Sequence, residues 1–129
     1  MGWAIGVTLF AGAAVATPFP DYRDYDDDLM RDLERTVKYF EPDITAQNAD
    51  AALEDAEMLA GGFRYTEDYF RKKPGAEDAV EISRKGGKLI AEARDSIGKA
   101  DFEAAAAAAR EATAICKSCH DLYKPRLAR

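Results

Sequence analysis

The chain has 129 residues, 24 Asp and Glu against 18 Lys and Arg, two Cys and one His. That length suits a single domain, and an apolar share of 47% is enough to build its core. A formal charge of −6 argues against nonspecific binding to nucleic acid or anionic lipid, and two cysteines cannot form a disulfide framework.

Residues 1–20 carry no charged side chain, and Trp3 to Ala16 form an apolar stretch. It is shorter than the ~20 residues a membrane-crossing helix needs. Ala14-Val15-Ala16 has the small-x-small form of a signal-peptidase site. The expectation is therefore a signal peptide over 1–16, cleavage before Thr17 and a mature domain over 17–129 in the periplasm, with no stable membrane span left. Pro18 and Pro20 separate the stretch from the helical remainder of the chain. Its front end lacks Lys and Arg, so an uncleaved anchor running to Phe19 is the alternative.

Beyond the prolines, the acidic run Asp21 to Asp28 reads as a solvated face placed before a helix N-terminus. The first helix starts as early as Tyr22, turns Met30, Leu33, Val37 and Phe40 to one side, and ends at Glu41-Pro42. Asn48 caps a second helix, whose inward residues Ala52, Ala56, Leu59, Phe63, Thr66 and Phe70 lead to Arg71 before the Pro74-Gly75 break. The third spans Ala76 to Ile97, with Ile82, Leu89, Ala93 and Ile97 inward and Gly98 as its stop. Asp101 caps the fourth, which carries Phe102, Ala105, Ala109, Ala112 and Cys116 on one face. No segment shows sustained two-residue alternation, so the fold expected is an all-α, antiparallel four-helix bundle. The alanine run 104–109 favours helix and would also let a flat, bulky group lie close. Gly61-Gly62 and Gly86-Gly87 fall inside helices, where close helix crossing is preferred over room for a cofactor edge.

Both cysteines and the single histidine lie in Cys116-Lys117-Ser118-Cys119-His120, the C-x-x-C-H pattern of covalent c-type haem attachment. Each thiol adds to one porphyrin vinyl group. On a helix, positions i and i+3 share a face, so both sulfurs reach the same edge, and His120 offers its imidazole to the iron. A thioredoxin-like redox pair lacks the βαβ pattern that goes with it. Zinc would need a fourth ligand, and Asp121 is too close in sequence to complete a tetrahedron easily.

At this point the chain resembles the class II c-type cytochromes, the cytochrome c′ and cytochrome c-556 family. The match is Cys116-Lys117-Ser118-Cys119-His120-Asp121-Leu122-Tyr123-Lys124 against that family's C-K-x-C-H-x-x-[YF]-[RK] ending. The resemblance implies haem c attached near the C-terminus of the last helix, with Cys116 and Cys119 as thioether residues and His120 as axial ligand. It implies a distal residue from the first helix, here Met30, and places Lys124 near the proximal side. It also implies a homodimer through the first two helices. Many members carry an Arg one turn before the distal residue to meet a haem propionate. Here that position is Asp26, leaving Arg23, Arg31, Arg35, Lys124 and Arg126 as unranked substitutes.

Such a haem could serve two functions. A His/Met six-coordinate iron suits a one-electron carrier that serves redox partner proteins, because a filled coordination sphere changes little between oxidation states. A vacant distal site would instead bind small gases such as NO and CO. Met58 competes with Met30 less well, since it lies about 100° around its helix from the inward Leu59. An enzyme is disfavoured, because no second His or other obvious acid–base partner is present.

Overall fold

Side-chain caps set three of the four helix starts. The computed structural model describes residues 21–127 together with Gly2 and Gly6, and for residues 124–127 the backbone alone. It contains α1 (Asp27–Thr45), α2 (Ala49–Arg71), α3 (Glu77–Gly98) and α4 (Phe102–Leu127). Asp26 opens α1 by accepting from the Leu29 N–H at 3.0 Å, Asn48 opens α2 from Ala51 at 3.3 Å, and Asp101 opens α4 from Ala104 at 3.1 Å. No side chain caps α3, which instead places Glu77 and Asp78 in its first turn, against the positive end of the helix dipole. The expected signal peptide and its cleavage site lie outside the described residues, apart from the two glycines.

The ends of α1 and α3 share one hydrogen-bond pattern. The Gln47 N–H donates to the Ile44 carbonyl at 2.9 Å and the Asn48 N–H to Asp43 at 3.0 Å. In the same way Ala100 donates to Ile97 at 3.0 Å and Asp101 to Ser96 at 2.9 Å. These are Schellman closures, with Gln47 and Ala100 left-handed at φ 57° and 56°. The residue completing each closure, Asn48 or Asp101, is also the cap of the next helix. The connections 46–48 and 99–101 are therefore very short, and the helices they join run antiparallel.

Three expectations about boundaries are corrected. α1 does not begin at Tyr22, because Tyr22 and Tyr25 turn inward and are only 4% and 5% exposed. Nor does it end at Pro42. A proline inside a helix costs ~3 kcal/mol, but Ile44 beyond it is fully buried, which contributes about 1.5–3 kcal/mol. The last turn survives, with the Ala46 N–H still reaching the Pro42 carbonyl at 2.9 Å. Gly98 is the last residue of α3 rather than its left-handed stop. That role falls to Ala100, because the closure must place Asp101 where it caps α4.

Each helix packs against its two neighbours, α1 on α2 and α4, α3 on α2 and α4, giving an all-helical four-helix bundle with no strand among the described residues. Phe40, Ile44, Leu59 and Ile90 are its largest fully buried side chains. Ala105, Ala106 and Ala109 are buried in the same core, so the alanine run serves close helix packing. Two of the four internal glycines do the same. A Cβ on Gly62 would collide with the end of Leu33 on α1, and one on Gly86 would collide with the ring of Phe63 on α2.

Candidate haem site

The connection 72–76 and the segment before α1 meet the C-terminal half of α4 at one end of the bundle. There Tyr22, Phe70, Ala76, Ala79 and Tyr123 form a second core, and Cys119 packs against it. Tyr123 lies edge-on to Tyr22, with centroids 5.6 Å apart, and 4.9 Å from Phe70, while its hydroxyl donates to Asp78 on α3. Lys73 fastens the entering chain, donating to the Asp21 carbonyl at 2.7 Å and to the Asp24 carboxylate at 2.9 Å. The Tyr69 hydroxyl donates to that carboxylate at 2.6 Å, and together these partners hold the Asp24 carboxyl below its usual range. This aromatic end was hidden in the sequence, where Tyr22 and Tyr25 sit inside an acidic run. Their three-residue spacing was the available signal.

Between this second core and the main one lies a cavity of about 510 Å³, lined from all four helices. α4 contributes Cys116, Cys119 and His120, and α1 contributes Met30. Thus four of the five sequence-predicted site residues line one space. The side chain of the fifth, Lys124, lies outside the described residues. Met58 does not line the cavity and is 42% exposed.

The wall is chiefly apolar, with Leu33, Val37, Leu59, Phe63, Phe70 and Ile82 facing the space. Its buried hydroxyls are already committed. Ser83 donates to the Ala79 carbonyl at 2.7 Å, and Thr66 donates to Gly62 at 2.8 Å while accepting from Tyr25 at 2.7 Å. Neither hydroxyl has a hydrogen left to direct at a molecule in the cavity. Burial pushes the Tyr25 phenol up to about 12, keeping it neutral.

Burial also governs the thiols. It raises Cys116, and it raises Cys119 to about 11, with the neighbouring Cys116 and Asp78 adding to the effect. Both cysteines are free, half-buried and protonated near neutral pH. Disulfide-exchange cysteines work as thiolates in electropositive surroundings, so this environment does not suit the redox-pair alternative. Among the described residues no three His, Cys, Asp or Glu side chains are gathered to hold a metal ion, and Asp121 accepts from Lys117 at 3.0 Å.

The residues present fit a covalently held porphyrin. Two neutral thiols one helical turn apart, an imidazole in the next position and a thioether from α1 border a single, largely apolar space. No protein-family model, characterised protein or solved structure matches the chain.

Proposed function

We propose that the chain is a c-type cytochrome of class II type that carries single electrons outside the cytoplasm. Its haem c is attached through Cys116 and Cys119, with His120 as proximal ligand and Met30 as sixth ligand. The observation that carries this reading is the convergence of Cys116, Cys119, His120 and Met30 on one cavity of about 510 Å³. Bound haem would supply an iron that accepts and returns one electron. The chain's own residues do the rest.

Cys116 and Cys119 present their thiols from adjacent turns of α4, which fixes the edge of the ring and its register along the helix. His120 follows on the same helix, so attachment and ligation are set by one rigid element. Met30 supplies a soft thioether from α1, and a Met ligand raises the potential of a His-ligated iron. The apolar wall excludes water, which keeps the charge change desolvated and the surroundings fixed. With the Thr66 and Ser83 hydroxyls committed, neither offers a proton to a molecule at the iron, which favours a carrier over a catalyst.

Optical and electron paramagnetic resonance spectra of the purified holoprotein test the ligand set. Low-spin iron is expected in the wild type. Met30→Ala should give high-spin iron, a lower potential and ready carbon monoxide binding, whereas Met58→Ala should change none of these. A wild type that is already high-spin and binds carbon monoxide would replace the carrier with a gas-binding protein of the same attachment.

A further inference from the structure

Resting on the reading of Met30 as sixth ligand, we infer that Tyr25 is the positioning residue that holds Met30 in place, through a clamp onto Thr66 of α2. No residue from Asp27 to Tyr39 is fully buried, because the inward side of this half of α1 borders the cavity. Core packing therefore does little to fix where Met30 sits. Its side chain is also long and flexible, so the ligand is held only as firmly as the backbone that carries it. Phe40 and Ile44 bury the far end of this stretch, and Tyr22 and Tyr25 bury the near one.

Tyr22 packs on Phe70 and Tyr123, whereas Tyr25 ties the start of α1 directly to α2. The Tyr25 hydroxyl donates to Thr66 at 2.7 Å, since Thr66 spends its own hydrogen on the Gly62 carbonyl. The Tyr25 ring stands edge-on to Tyr65 and Tyr69, with centroids 5.2 Å and 5.0 Å away. The next residue, Asp26, donates its N–H to the Tyr65 hydroxyl at 3.3 Å, and its carbonyl accepts from the Met30 N–H at 3.1 Å. One backbone hydrogen bond thus joins Met30 to the residue beside the clamp. On the other side of Met30, Leu33 lies so close over Gly62 that a Cβ there would collide with it. Gly62 and Thr66 are one turn apart on α2 and joined by a 2.8 Å hydrogen bond. Both contacts that flank Met30 therefore rest on a single turn of α2, and the hydrogen bond fixes a register that ring packing alone would let slide.

The experiment uses holoproteins, each first checked for covalent haem on a denaturing gel. They are the wild type, Tyr25→Phe, Thr66→Val, Thr66→Ser, the Tyr25→Phe, Thr66→Val double variant, and Met30→Ala with and without Tyr25→Phe. Carbon monoxide binding to the ferrous forms reads how often the sixth position is free, and electron paramagnetic resonance of the ferric forms reads the high-spin fraction. Losing one buried hydrogen bond should speed carbon monoxide binding roughly three- to tenfold in Tyr25→Phe and in Thr66→Val, with a matching rise in high-spin iron. The double variant should gain nothing further, and Thr66→Ser, which keeps the hydroxyl, should restore the clamp. In the Met30→Ala background Tyr25→Phe should add nothing, whereas a change in gas entry or in general stability would still be felt there. A Tyr25→Phe protein that binds carbon monoxide at the wild-type rate, or an acceleration that persists without Met30, overturns the clamp while leaving the ligand reading intact. A wild type that is already high-spin, or that lacks covalent haem, overturns the ligand reading and the clamp with it.

Discussion

Replacing Asp55 by Asn should stabilise the protein above neutral pH and flatten part of its stability–pH profile. Asp55 lies half-buried on α2, and its Oδ2 is buried with no hydrogen-bond partner. Burial, followed by the facing Asp43 of α1 and then Glu54, pushes the Asp55 carboxyl up to about 7. The folded state therefore keeps a proton that the unfolded chain releases near pH 4. As pH rises from about 4 to about 7 the unfolded state is increasingly favoured, so this carboxyl's stabilising contribution is lost across that window. Three pH units at about 1.4 kcal/mol each set a ceiling near 4 kcal/mol, which solvent screening of a partly exposed group reduces to about 1–2 kcal/mol. The amide of Asn is neutral and can donate to Asp43. At pH 8 the variant should gain that amount, a rise in Tm of roughly 5 °C. Urea unfolding followed by far-UV circular dichroism at pH 4 to 8 gives the difference between the two proteins directly. A wild-type-minus-variant difference that stays level from pH 4 to 7 would refute the reasoning.

Two further substitutions probe the fold. Ala100→Gly should stabilise by about 1 kcal/mol, because Ala100 is left-handed in the α3 closure and glycine removes its Cβ penalty, and the urea midpoint reads this. Gly86→Ala should destabilise by about 1–3 kcal/mol despite better helix propensity, since its Cβ would meet the Phe63 ring. Phe63 also borders the cavity, so the same variant should carry less haem, measured as the ratio of Soret absorbance to protein.

The helices were legible because each carries a strong local signal. Asn48 and Asp101 cap as their positions indicate, and Ala52, Ala56, Leu59, Thr66 and Phe70 are the buried stripe of α2. The errors fall where tertiary burial overrides a local rule. Ile44 draws α1 past Pro42, and Tyr22 and Tyr25 fold inward from a segment whose carboxylates read as solvated. At the candidate site, the motif spacing singled out Cys116, Cys119 and His120, and the apolar stripe together with the family resemblance singled out Met30; the fold brings all four to the lining of one cavity.

The central claim is covalent haem on Cys116 and Cys119. Its most direct measurement is the intact mass of the protein produced in a periplasm that attaches c-type haem, taken after denaturation and extraction in acidified organic solvent. The wild type should retain the mass of one haem on the polypeptide, and the Cys116→Ala, Cys119→Ala double variant should retain none. A wild-type polypeptide that emerges at the mass of its amino acids alone would contradict the claim.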